Sequence, residues 1–230
     1  MIAMIEGRKR APRLELAQRL DDELGTPGTF VRLQQAARIN PLPQWFRPYA
    51  EIEATATRLK SWQANVVDGL LQTEDYARAL LSVRPNTNAD ELEELVAVRI
   101  ERQAVLSRQV PPLLLVLLDE TVLMRPVGSP KIMHDQLIYL EEMSHRPSIT
   151  IGVVPLEAGA HTGLLGSFAL AEADDAARAG YLETASTGMV VEAPASVTEL
   201  AVAFDDLLSE ALPRAQSRKL ILKKAGEIDE

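Results

Sequence analysis

The 230-residue chain contains no cysteine. That excludes disulfides, thiolate zinc sites and a cysteine nucleophile, and it matches what a cytoplasmic protein is expected to show. Aromatic residues make up only 4% of the chain, so aromatic walls for a ligand are scarce. Basic charge is in deficit, with 24 Lys and Arg against 33 Asp and Glu, a net charge of −9. Attraction to phosphates dominates nonspecific nucleic-acid binding, so the chain as a whole is not expected to bind DNA that way. One basic cluster, Arg8, Lys9, Arg10 and Arg13, reads either as a local patch or as a solvated charged turn. No apolar run approaches the roughly 20 residues of a membrane helix. Residues 1–6 are too short and too acidic at their end for a signal peptide, so no membrane partner is expected.

Sequence motifs of known chemistry are missing as well. There is no phosphate-binding Gly-rich loop, no G-x-S-x-G elbow and no H-E-x-x-H. No cofactor and no metal are expected. His134 and His145 lack metal-binding spacing. A histidine without a partnered serine or cysteine makes no nucleophilic triad.

What is present reads as a globular protein, 47% apolar and 25% charged. Residues 12–24 predict a short amphipathic helix with Pro12 in its first turn and Gly25 as its stop. A second helix is predicted from Gly28 to Arg38, and Asn40-Pro41-Leu42-Pro43 reads as a linker. A helix beginning in 44–56 and a strand over 56–64 follow, then a helix from Thr73 to Ser82 and a long one to about Ser107. Leu113–Leu118 and Ile149–Val154 are apolar runs between breakers, which suits buried strands. A helix from Pro130 to about Ser144 separates them. Three short strands follow within 167–172, 180–184 and 189–192, and two helices close the chain. This order predicts an α+β fold with a small mixed sheet packed with helices.

Several residues stand out as site candidates. Asp119 and Glu120 directly follow one apolar strand. His161 lies in Gly159-Ala160-His161-Thr162-Gly163, after another. If the strands are parallel, Glu120 and His161 could converge at one sheet edge, where ligands collect. Alternatively Glu120 caps a turn, and the glycines around His161 only satisfy a bend. Arg99, Arg102 or Arg125 could hold a carboxylate or phosphate, or pair with internal acids. Trp62 and Tyr76 could wall a pocket, or belong to the core.

The wording of Gly69-Leu-Leu-Gln-Thr-Glu-Asp-Tyr-Ala-Arg78 carries a further signal. Upstream stands Trp45-Phe46-Arg47-Pro48-Tyr49. Downstream stand Asp119-Glu120, Gln136-Leu137, Gly159-Ala160-His161 and Tyr181-Leu182-Glu183. In that order they resemble the C-terminal domain of bacterial Xre-type helix-turn-helix transcriptional regulators, often labelled antitoxin-like. Asp68 departs from the pattern, where a proline usually precedes Gly-Leu-Leu-Gln. The resemblance implies an effector domain over 44–230 and, over 1–40, a remnant of an all-α helix-turn-helix domain. The segment from Met4 to Pro12 resembles the end of a recognition helix, so DNA reading is expected to be impaired or lost unless the missing helices are restored. A regulatory module that senses a small molecule or a small partner protein is implied, with a homodimer possible. An enzyme of small-molecule biosynthesis on the same scaffold is the alternative, with Glu120 and His161 as its catalytic candidates. The candidate ligand-binding set is Trp62, Gln72, Tyr76, Arg99, Glu120, Arg125 and His161.

Overall fold

A computed structural model describes residues 14–38, 42, 45–85, 87–173, 179–184 and 187–228. The basic cluster at Arg8–Arg13, the helix start at Pro12, the stretch from Met4 to Pro12 and most of the 40–43 linker lie outside the described residues. The chain divides into two compact units, Met1–Leu42 and Pro43–Glu230.

The first unit holds helices α1 (Leu14–Leu24) and α2 (Thr29–Arg38). Gly25 ends α1 with a φ of +60°, a conformation that side chains other than glycine adopt at a cost. Asp21 then reaches across the turn. Its two oxygens accept the backbone N–H groups of Phe30 and Val31 at 3.0 and 2.9 Å and the Thr26 hydroxyl at 2.5 Å. One buried carboxylate therefore caps the start of the next helix, whose first N–H groups have no partner within the helix.

The second unit is α+β, built on a six-stranded mixed sheet of order β3-β2-β1-β4-β5-β6. β1 is Arg58–Gln63, β2 Leu113–Asp119 and β3 Ile149–Val154; these three are mutually parallel. β4 (Phe168–Glu172), β5 (Ala179–Glu183) and β6 (Gly188–Val191) continue antiparallel on the far side of β1. The parallel strands require crossovers. α4 (Glu74–Ser82) and α5 (Ala89–Arg102) supply the first; α6 (Glu120–Met124) and α7 (Pro130–Met143) supply the second. α3 (Arg47–Thr55) precedes the sheet, and α8 (Pro194–Glu210) and α9 (Arg214–Ile228) follow it. Local sequence sets the helix starts. Thr73 caps α4, and Asn88 with Glu91 closes a full capping box on α5.

Both faces of the sheet are covered. On one, Leu59, Val116, Leu118, Ile151 and Val153 pack with Tyr76, Leu137, Leu140 and Ile221. On the other, Trp62, Leu117, Val154, Phe168 and Leu170 pack against Val197, Ala201, Phe204 and Leu207 of α8. Not every residue of the apolar run is enclosed: Leu113 is 53% exposed, and Leu115 is half-buried on the α8 side. The edge of β3 is blunted by the chain itself. Leu212 donates to the Val153 carbonyl, and the Val153 N–H donates to the Ser217 hydroxyl, so a ladder that would otherwise invite a foreign strand is closed.

Candidate functional site

The carboxyl ends of β1 and β2, beside the junction with antiparallel β4, are where the strand order reverses. Open sheets collect ligands at such a place. Two constellations stand there, on opposite faces.

The first begins with the Gly69-Leu-Leu-Gln72 turn. Leu70 and Leu71 are buried, so the polar backbone around them needs partners. Asp68, the departure from the expected proline, caps the turn through the Leu70 N–H at 2.8 Å and accepts the Ser61 hydroxyl at 2.6 Å. Gln136 donates to the Leu71 carbonyl and accepts the Thr73 N–H, and Gln103 donates to the Gln72 carbonyl. The Tyr76 hydroxyl accepts the Val67 N–H at 3.2 Å. Tyr76 is thus a buried brace of this loop.

On that rigid turn rests Arg99. Its guanidinium lies against Gly69, where a Cβ would come within 3.0 Å of Nη1, and it donates to Gln72 Oε1 at 2.9 Å. It makes no ion pair with any described residue. Burial is the largest influence on the group, and with neighbouring Arg102 it pushes the pKa down to about 10. Yet the residue is only half-buried by exposure. The cation is thus closely surrounded by protein yet still reached by solvent. Arg102 differs: it pairs bidentately with Glu53 at 2.8 and 3.0 Å and lies over the Phe46 ring at 4.4 Å.

Behind the turn lies one face of the sheet. Ser61, Ala169 and Tyr181 lie in one cross-strand row, and Gln63 and Glu183 project on the same face two residues further along β1 and β5. Ser61 and Tyr181 are buried. Tyr181 stacks on Tyr49 at 5.0 Å and meets Phe46 edge-on at 5.1 Å. Three of the chain's few aromatics therefore form one cluster. Burial, then Glu183, pushes the Tyr181 hydroxyl up to about 12. It stays protonated at neutral pH and available as a donor.

The second constellation faces α8. Trp62 is fully buried and donates its indole N–H to the Gly163 carbonyl at 2.9 Å. His161 stands edge-on to the indole at 5.4 Å, with Nε2 3.6 Å from Asp119 Oδ2. Its Nδ1 is buried and has no hydrogen-bond partner among the described residues. Asp119 also caps α6 through Thr121. Its neighbour Glu120 turns elsewhere, accepting the Leu156 N–H at 3.1 Å and pairing with Lys224 of α9 at 3.7 Å. Arg125 ends α6, exposed, within electrostatic range of Tyr76.

The candidate set is therefore divided by the structure. Gln72, Tyr76 and Arg99 stand together at the Gly69–Gln72 turn. Trp62 and His161 meet behind the sheet. The acid facing His161 is Asp119; Glu120 turns to α9, and Arg125 stands apart. Glu53 and Gln63 were not singled out by sequence, and Asp68, Tyr181 and Glu183 stood out only through the family pattern. Period-two alternation, which puts Tyr181 and Glu183 on one face, was the available signal. Among the described residues no group of three or more His, Asp or Glu could hold a metal ion, and no helix is long and apolar enough to cross a membrane.

No curated protein and no solved structure matches the chain. A family model described as a domain of unknown function, DUF5753, matches residues 46–223, which span all six strands and Arg99. The chain belongs to the DUF5753 family.

Proposed function

We propose that the unit from residue 43 onward is the ligand-sensing module of a helix-turn-helix type regulator, and that it binds a small carboxylate-bearing molecule on Arg99. One observation carries this reading: a desolvated arginine, fixed by Gln72 on a braced turn, has no ionic partner among the described residues. Burying a cation without a counter-charge costs the fold. An arginine so held, still half-open to solvent, is poised to receive the anion from outside, and the planar guanidinium fork suits a carboxylate. The net charge of −9 supports a companion expectation, that this chain does not itself read DNA; nanomolar, sequence-selective binding in fluorescence anisotropy at physiological salt would count against it.

The regulator reading is preferred over an enzyme because the only imidazole at the sheet edge, His161, has its Nε2 against Asp119 and no hydroxyl nucleophile among its described partners. The test is calorimetric titration of the protein and of Arg99→Gln with a panel of small carboxylates. The expected result is saturable binding that falls at least about tenfold in the variant, the weight of one charge-assisted bond. The variant should melt no lower than the parent, because it removes an uncompensated cation. Binding that is unchanged in Arg99→Gln would refute the assignment.

A further inference from the structure

The two edges of the sheet differ. β3 is closed by the chain itself, whereas β6 pairs with β5 on one side and with no strand among the described residues on the other. The register fixes which backbone groups this leaves open. The Thr184 N–H donates to the Thr187 carbonyl at 2.8 Å, so these residues form a hydrogen-bonded pair. Such pairs alternate along an antiparallel ladder. Gly188 and Val190, opposite Glu183 and Tyr181, therefore turn their N–H and C=O groups outward. Among the described residues the Gly188 carbonyl takes only the neighbouring Thr187 hydroxyl, at 3.3 Å. Nothing in Gly188-Met-Val-Val191 blunts this edge, which has neither a charge nor a proline.

A cavity of about 470 Å³ runs beside it, between β6 and the first turns of α8. Leu182, Met189, Val191 and Leu200 give it apolar walls, and Met189 is 56% exposed. Glu192 and Glu199 border it, and no lysine or arginine lines it. Val190 borders it as well. The Val190 side chain packs on the core of the opposite sheet face, so the cavity meets the backbone of β6 there. The edge is also held in place: the Tyr181 ring covers Gly188, where a Cβ would overlap it.

We propose that β6 is a docking edge for an extended segment of a partner protein, added to the sheet as a further strand. Its apolar side chains enter the cavity, and lysine or arginine beside them meets Glu192 and Glu199. In strand addition the main-chain hydrogen bonds give affinity and pockets for alternate side chains give specificity. Here the open backbone groups and the cavity lie side by side. The two acids at its border select a basic segment and reject an acidic one. A second copy of this chain fits poorly, because it would bring the same acids and another net charge of −9 to the contact. The edge can take a strand whether or not Arg99 takes a carboxylate.

The test is fluorescence anisotropy of labelled peptides with the whole chain at low salt. The probe is a blocked peptide of alternating lysine and valine, compared with its glutamate and valine counterpart. Two further forms carry N-methyl groups on every lysine or on every valine. Alternate N–H groups of a strand point to opposite edges, so only one of these two forms loses the donors facing β6. The expected result is saturable binding of the lysine peptide and at least about tenfold weaker binding of the glutamate peptide. One methylated form should bind at least about tenfold more weakly than the other, a difference that general attraction to an acidic protein would not produce. Met189→Lys and the double variant Glu192→Lys, Glu199→Lys should each weaken the lysine peptide while melting as the parent does. The proposal is overturned if no peptide binds, if both methylated forms bind alike, or if the glutamate peptide binds as well as the lysine one. It is overturned equally if Met189→Lys leaves binding unchanged, or if ultracentrifugation shows a dimer that Met189→Lys dissociates, which would make a second copy the occupant.

Discussion

His161 Nε2 stands 3.6 Å from Asp119 Oδ2, and both side chains are about nine-tenths buried, 8% and 11% exposed. The contact ties the 155–167 segment down over the end of β2, and the adjacent Glu120 fastens the same segment at Leu156. Two successive acids at a strand end, pointing apart, thus hold one loop at two places. Asp119→Ala removes both the cap on α6 and the partner of His161. A cap alone is worth about 1 kcal/mol. The expected result is a melting temperature lower by several degrees and faster proteolytic cleavage between residues 155 and 167. Unchanged cleavage would show that the contact does not secure the loop.

Gly163 lies flat against Trp62, and a Cβ there would overlap the indole ring. Gly163→Ala should therefore cost about 1–3 kcal/mol, the usual penalty of overpacking. With Trp45 changed to Phe so that Trp62 alone reports, the same variant should shift tryptophan emission to longer wavelength as the ring is displaced. An emission spectrum identical to that of the Trp45→Phe parent would mean that the loop accommodates the methyl group without moving the indole.

Arg102 and Glu53 form a nearly buried bidentate pair, 17% and 6% exposed. Removing one partner strands a charge, so Arg102→Met or Glu53→Gln alone should destabilise by about 3–5 kcal/mol. The double replacement should recover a large part of that loss, since no unpaired charge remains. Denaturant unfolding of all four proteins measures the coupling. Additive single effects would show that the pair does not act as a unit.

Much of the architecture was legible because local chemistry and tertiary packing agree. Apolar runs between prolines gave β2 and β3, and Thr73, Asn88 and Pro130 marked helix starts. The small mixed sheet followed from element order. What sequence left open was which side of the sheet a residue faces. Trp62 and Tyr76 looked like walls of one pocket, yet they belong to different cores, Trp62 toward α8 and Tyr76 toward the crossover helices. Neighbours in a strand point to opposite faces, so the step from Asp119 to Glu120 decided which acid meets His161. The setting of Arg99 was the least legible part: it lies 27 residues beyond Gln72, and only the fold lays its guanidinium on the Gly69 turn.

The cap by Asp21 gives the first unit a pH dependence. Burial pushes its carboxyl up, but hydrogen bonds from Thr26, Phe30 and Val31 outweigh this and hold the pKa below the ordinary carboxylate value. A depressed folded-state pKa contributes stability that is present above the unfolded value, about 3.9, and is lost as pH falls through the folded one. Nuclear magnetic resonance spectra of the full chain should therefore show the signals of α1 and α2 leaving their folded positions below about pH 4, earlier than in Asp21→Asn, which has no charge to lose. An identical acid transition in both proteins would exclude the cap as its cause.

The placement of β1 at the centre of the sheet sets an order of events during synthesis. Leu59 pairs with Leu114 on one side and with Ala171 on the other. A growing chain can join β1 to β2 and then to β3 as each emerges, but the second edge of β1 stays bare until β4 has left the ribosome. At about 5–20 residues per second the interval lasts several seconds. Through it Trp62 and Phe168 have not yet met, and α8, which shelters that face, has not been made. The nascent protein therefore carries an open apolar face and an open strand edge at once, the combination most prone to pairing with the wrong chain. Its dependence on chaperones should be concentrated in the window between residues 154 and 210.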